Sequence, residues 1–134
     1  MRVLSLACSK FTYLCTKPLV ESAVNIQGEP ERVTLHDNLV LLTTIEKGDS
    51  PSQIKRAAER VHKLSVESGI KVVTVDAFVH LSQKAAPHDQ VHEKMEIFLE
   101  HLAPLEIHHT PFGWQKELSV DITAEPWSHH LIHT

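Results

Sequence analysis

The 134-residue chain predicts an α/β fold, a single domain over residues 1–134 with a mixed β-sheet and two main helices. Three observations carry this reading. Leu39-Val40-Leu41-Leu42 is a continuous apolar run, the pattern of a strand buried on both faces. A sharply bounded helix follows it, and after the helix comes a second apolar strand, Val72 to Phe78. Strand, helix and strand in that order form a parallel crossover, right-handed by the general rule. If the last strands form an antiparallel edge, the class becomes α+β.

Taken in order, Met1 to Cys8 reads as a first strand rather than a signal peptide, because the apolar stretch is brief and no cleavage site follows. Glu21 to Asp37, with Gly28 and Pro30, reads as loops around a short strand, and Asn38 to Glu46 contains the buried strand. The spacing predicts a helix over 51–68. Ser50 is a good N-cap, Pro51 suits the first helical position, and Gln53 completes a capping box. Ile54, Ala57, Ala58, Val61 and Leu64 keep helical spacing, and Gly69 sits where a left-handed residue ends a helix. A second helix places Val91, Met95, Phe98 and Leu102 on one face. Leu105 to Thr110 and Gln115 to Thr123 then read as strands joined by a turn at Pro111-Phe112-Gly113.

Composition bounds the function. Apolar residues at 42% and charged residues at 22% are ordinary globular usage. No segment approaches the roughly 18 uninterrupted apolar residues of a membrane span. Two cysteines, Cys8 and Cys15, are too few for a secreted disulfide scaffold and read as reduced thiols of a cytoplasmic protein. The net charge of −4 argues against unaided binding of a nucleic-acid body, since phosphate contacts supply most such affinity. Any RNA contact is confined to the end of the molecule or shared with a second module.

In parallel sheets, ligands gather beyond the carboxyl ends of the strands. Here those ends are Thr44-Ile45-Glu46-Lys47 and Phe78-Val79-His80-Leu81, on one rim. His80 there is compatible with a proton carrier, a ligand-positioning donor, a metal ligand or a hydrogen-bonded structural histidine. Lys116 shares strand parity with Leu118, Val120 and Ile122, which places it on the core-facing side near the strand's start. A lysine there either snorkels past the core edge or points into a pocket. His88 and His92 lie one helical turn apart, but no third ligand stands at a recognisable spacing, so no metal is assigned. Arg56, Arg60 and Lys63 form a basic stripe whose default reading is a solvated face, with RNA contact the alternative. There is no nucleotide-binding glycine loop, no serine elbow and no cysteine–histidine pair, so no cofactor is assigned and an enzyme reading must do without a conventional nucleophile.

At this point the chain resembles a known family. The Met1-Arg2-Val3-Leu4 start, Leu39-Val40, Ile45-Glu46-Lys47, Phe78-Val79-His80-Leu81-Ser82 and Pro111-Phe112-Gly113-Trp114 with Lys116 occur in order and spacing over nearly the whole length. Together they resemble the N-terminal editing domain of archaeal threonyl-tRNA synthetases, whose fold is shared with D-aminoacyl-tRNA deacylases. The resemblance implies hydrolysis of L-serine from the 3′ end of mischarged threonine tRNA. It implies a homodimer, and a synthetase catalytic module in the same chain or in trans. Lys116 then positions or polarises a water and the ester carbonyl, and His80 lines the pocket. Ile45 and Val79 shape the amino-acid pocket, and the Phe112-Gly113 backbone faces the substrate. Two positions depart from the pattern. Gln115 stands where the family commonly has tyrosine, and His129 stands where it has a glutamate that contacts substrate. The resemblance leaves open a D-aminoacyl-tRNA deacylase and a non-catalytic module that binds RNA ends or dimerises. Under the first reading, Lys116→Met abolishes hydrolysis with little change in stability.

Overall fold

The chain's apolar pattern closes into one six-stranded mixed sheet with both helices against a single face. The structure, a computed structural model, describes all residues from Met1 to Thr134. The strands are β1 (Arg2–Pro18), β2 (Val33–Thr44), β3 (Val72–Ala77), β4 (Glu106–His109), β5 (Trp114–Ile122) and β6 (His129–His133). The helices are α1 (Pro51–Ser68) and α2 (His88–Leu102), and a single 3₁₀ turn spans Val79–Leu81. The strand order is β4-β3-β2-β1-β5, with β6 also beside β1. β2, β3 and β4 run parallel, each pair linked by a helix, as the crossover pattern requires. β1 pairs antiparallel with β2, β5 and β6.

α1 forms where predicted. The Ser50 hydroxyl accepts from the Gln53 amide, the Gln53 side chain accepts from the Ser50 amide, and Gly69 takes φ 73° at the end. Its apolar stripe and that of α2 bury Ile54, Val61, Met95 and Phe98 against Val3, Leu39, Leu41, Val73 and Val75 of the sheet. The opposite face carries a second cluster, Leu6, Cys8, Phe11, Tyr13, Cys15, Val40 and Leu42, to which neither helix contributes.

Several elements differ from the sequence reading. β1 runs ten residues beyond Cys8, to Pro18. Its facing inverts at Ser9, opposite Asp37, which has φ 47°. Leu6 and Cys8 before that point and Phe11, Tyr13 and Cys15 after it therefore join the same cluster, and simple alternation is lost. β2 correspondingly begins at Val33, inside the segment read as loops. β6 was assigned no element. β4 and β5 do not pair with each other: β4 joins β3, and β5 joins β1 at the other end of the strand order. The sheet is so curled that these ends approach. Tyr13 Oη on β1 lies 2.9 Å from His108 Nε2 on β4, and Lys116 on β5 reaches Asp76 on β3. Finally, Leu118, Val120 and Ile122 are not core residues. They stay 37–39% exposed, because edge strand β5 faces the side that no helix covers.

Candidate functional site

A cavity of about 260 Å³ opens where the parallel strands end. Its walls come from the ends of β2 and β3, the first turn of α2, the start of β5 and the loop after β1. Ile45, Val79, His80, Phe112, Gly113, Gln115 and Lys116 all line it. His129 does not. It lies exposed on β6, paired with Leu6.

The Pro111-Phe112-Gly113-Trp114 turn is fixed by its neighbours. Gly113 takes φ 82°, and an added Cβ would lie 2.8 Å from both Ala23 Cα and Val20 Cγ2, so only glycine fits. The Leu19 and Val24 amides donate to the Gly113 and Phe112 carbonyls at 2.7 and 3.0 Å, and the Trp114 indole donates to the Val24 carbonyl at 2.6 Å. The carbonyls of Phe112 and Gly113 are thus committed to the loop. Neither of their amide N–H groups donates to another backbone group, and both residues line the cavity. His88 and His92 both turn their rings to Phe112, at centroid distances of 6.4 Å.

On the β3 side, the Thr44 hydroxyl donates to the Phe78 carbonyl and so ties the ends of β2 and β3 together. His80 is exposed at the rim, its ring edge-on to Phe78 at 5.2 Å. Behind the rim, Glu46 anchors the loop after the 3₁₀ turn by accepting from Ser82 Oγ at 2.6 Å, and it also accepts from the Met1 ammonium at 2.9 Å. Burial alone would raise its carboxyl. The Ser82 hydroxyl, the Met1 ammonium and Arg2 outweigh this and hold it below the ordinary value of 4.5.

A buried ion pair lies at the floor. The Lys116 side chain is 7% exposed and that of Asp76 4% exposed, and Lys116 Nζ lies 3.3 Å from Asp76 Oδ1. The ammonium also donates to the Trp114 carbonyl at 3.3 Å. An ammonium has three N–H donors, so the single bond to Trp114 leaves donors over beside the ion pair with Asp76. Thr110 Oγ1 donates to the same Asp76 oxygen at 2.5 Å. Lys116 therefore does not snorkel to water. Asp76 and Thr110 were missed in the sequence, although a carboxylate inside the apolar run Val72–Phe78 was the available signal, since a buried charge demands a partner.

Neither thiol is arranged as a nucleophile. Burial pushes the Cys8 thiol up to about 11, with Asp121 adding to the effect. Burial also raises Cys15, and the opposing pull of Lys116 does not cancel it. No group of three or more His, Cys, Asp or Glu side chains is placed to hold a metal ion. The arrangement offers one oriented cation, two free amides and a small apolar chamber. That equipment suits stabilising a developing oxyanion or holding a water.

A family profile for the archaea-specific editing domain of threonyl-tRNA synthetase matches residues 1–132. The threonine-tRNA ligase of Nitrosopumilus maritimus is 29% identical over 126 residues, which covers 94% of this chain and 20% of that protein. The threonine-tRNA ligase editing subunit of Aeropyrum pernix is 30% identical over 129 residues, covering 94% of this chain and 30% of that one. The corresponding editing subunit of Saccharolobus solfataricus is 32% identical over 109 residues, 75% of this chain and 28% of that one. The chain thus spans less than a third of the length of these curated relatives. Among solved structures, the c-Myc DNA unwinding element binding protein superposes with a TM-score of 0.73 at 14% identity, covering 100% of this chain and 99% of that one. This likeness shows the fold alone, a single α/β domain with a mixed sheet and two helices.

Proposed function

The chain belongs to the archaea-specific editing-domain family of threonyl-tRNA synthetase, and from that premise we propose that it hydrolyses the 3′-terminal ester of threonine tRNA mischarged with L-serine. The observation that carries this reading is the buried Lys116 ammonium, ion-paired with Asp76 and lining a small, largely apolar cavity. Water attacks the ester carbonyl, the acyl carbon–oxygen bond breaks, and the proton lost by water ends on the ribose oxygen that leaves. The products are serine and a free tRNA end. Lys116 polarises the carbonyl or holds the water, without forming a bond to substrate. The Phe112 and Gly113 amides supply further donors along the same wall. His80 lines the rim, and Gln115 is within reach of the terminal nucleotide.

Such a site is useful because a synthetic site distinguishes poorly between amino acids that differ by one methyl, worth about 1–3 kcal/mol. Ile45 and Val79 are the walls against which threonine's extra methyl would press. A net charge of −4 is poor equipment for gripping a whole tRNA, so the partner is a synthetase module, in the same chain or in trans, that supplies the affinity. The helix-free face, with Leu118, Val120, Ile122 and Leu131 exposed, suits burial in a homodimer, with His129 on the same strand as Leu131. The site of action is the cytoplasm, where aminoacyl-tRNA is made.

The deciding experiment incubates the purified chain with seryl- and threonyl-charged threonine tRNA and with one tRNA carrying D- or L-aminoacyl esters. Faster release of L-serine than of threonine or of D-amino acids is the expected result. Preference for the D-ester would make it a D-aminoacyl-tRNA deacylase instead. Binding of the uncharged acceptor end without cleavage would make it a non-catalytic module.

A further inference from the structure

We propose that Asp76 is a positioning residue: its carboxylate, itself fixed by Thr110, holds the Lys116 ammonium by ion pairing at the cavity floor, where its remaining N–H donors serve the substrate. This rests on the proposed role of Lys116, but nothing in the family match assigns Asp76 or Thr110 a part.

The pair adds little to the stability of the fold. Both side chains are almost wholly buried, so the cost of stripping two charges of water offsets most of their attraction. An apolar pair filling the same volume would stabilise the fold at least as well. Retaining the charges makes sense where their position matters.

Geometry says which position. A lysine has four rotatable bonds and its ammonium has no preferred direction of its own. At Lys116 that freedom is removed from two sides, by Asp76 Oδ1 and the Trp114 carbonyl, each at 3.3 Å. Asp76 is in turn denied an alternative rotamer by the 2.5 Å bond from Thr110 Oγ1, at the end of β4. Thr110 is anchored to the same strand as Asp76, since its amide donates to the Val75 carbonyl at 3.0 Å. The chain Val75–Thr110–Asp76–Lys116 therefore links three strands to one ammonium. Cys15, directly across from Lys116 on β1, offers no competing anion, because burial keeps its thiol protonated. A preorganised donor is what an oxyanion site needs, since reorientation during reaction would forfeit its advantage.

The test combines kinetics with a direct view of the ammonium. Asp76→Asn keeps the shape and removes the charge. It should lower kcat for seryl-tRNA hydrolysis about 10–100-fold while KM stays within about threefold, the usual scale for a residue acting through another. Asp76→Glu, which restores the charge, should retain more of kcat than Asp76→Asn. In ¹H–¹⁵N spectra, a slowly exchanging Lys116 ammonium signal should be present in the parent and lost in Asp76→Asn. If Asp76→Asn does not fold, Thr110→Val carries the same test, with kcat lowered about 3–10-fold and the ammonium signal weakened. Parent kcat in the folded variant, or lost kcat with an unchanged ammonium signal, overturns the proposal. If the parent cleaves no ester, the functional reading fails. The ammonium signal still decides whether Asp76 holds Lys116.

Discussion

Replacing Lys116 with methionine removes the one oriented cation of the cavity and keeps most of the packed stem. If the ammonium stabilises the transition state, hydrolysis of seryl-tRNA should fall about 10²–10³-fold, roughly 3–4 kcal/mol, as for loss of one preorganised donor. The structure changes the expected effect on stability. Parity alone suggests little change, but Asp76 is 4% exposed and its only other side-chain partner is the Thr110 hydroxyl. Leaving a buried charge without its counterion costs about 3–5 kcal/mol. A domain of ordinary stability, about 5–15 kcal/mol, survives that loss only with a reduced margin.

Lost activity in Lys116→Met alone therefore has two explanations, unfolding and lost chemistry. The double variant Lys116→Met/Asp76→Asn separates them, because the remaining side chain is neutral. Urea denaturation should show the double variant more stable than Lys116→Met, and single-turnover deacylation should show it no more active. A folded double variant that cleaves seryl-tRNA at the parent rate would refute the assignment of Lys116.

Other expectations follow from the same geometry. Val79→Ala widens one wall of the cavity by two methyls, so the ratio of kcat/KM for threonyl over seryl ester should rise about tenfold, measured on matched charged tRNAs. Gly113→Ala forces a Cβ to within 2.8 Å of Ala23 backbone at φ 82°. It should destabilise by about 1–3 kcal/mol in urea titration and loosen the loop that walls the cavity. Glu46 gives a pH dependence. Its folded carboxyl titrates below 4.5, so its contribution is full above that value and is lost as pH falls through the lowered one. Melting curves between pH 6 and 3 should therefore fall less steeply for Glu46→Gln than for the parent.

What was legible in the sequence follows from how local each cause is. α1 depends on contacts within a few residues, Ser50 with Gln53 and Gly69 with its own backbone, and the sequence states them directly. β6 is the opposite case. Of its residues only Ile132 is buried, and His129-His130-Leu131-Ile132-His133 owes its strand form to pairing with Arg2–Leu6, far away in the chain. Long β1 was cut short because its facing inverts at Ser9, where an even rhythm of buried residues becomes an odd one. Ile45, Val79 and His80 were readable because strand ends and their following turns gather at one rim of a parallel sheet, whereas Phe112, Gly113 and Gln115 came from resemblance. His129 was placed with them on the same ground, and in the single chain it stands elsewhere.

Lys116 shows that a correct location can follow from a premise that is only half right. Parity with Leu118, Val120 and Ile122 pointed it inward, yet those three are more than one-third exposed. What buries Lys116 is the curl of the sheet, which carries β5 over the end of β3 and closes the gap to Asp76. The need for a partner was readable, since Asp76 lies in a strand apolar on both parities. The partner's identity was not, because 13 lysines and arginines were available and Lys71 and Lys84 both stand far nearer in sequence than Lys116. Pairing across 40 positions depends on twist accumulated over four strands, a property of the whole sheet. A site built that way is also sensitive to the sheet. Variants that flatten the curl at Ser9 or Asp37 should therefore disturb the Lys116 ammonium without touching the cavity, and the same ¹H–¹⁵N signal would reveal it.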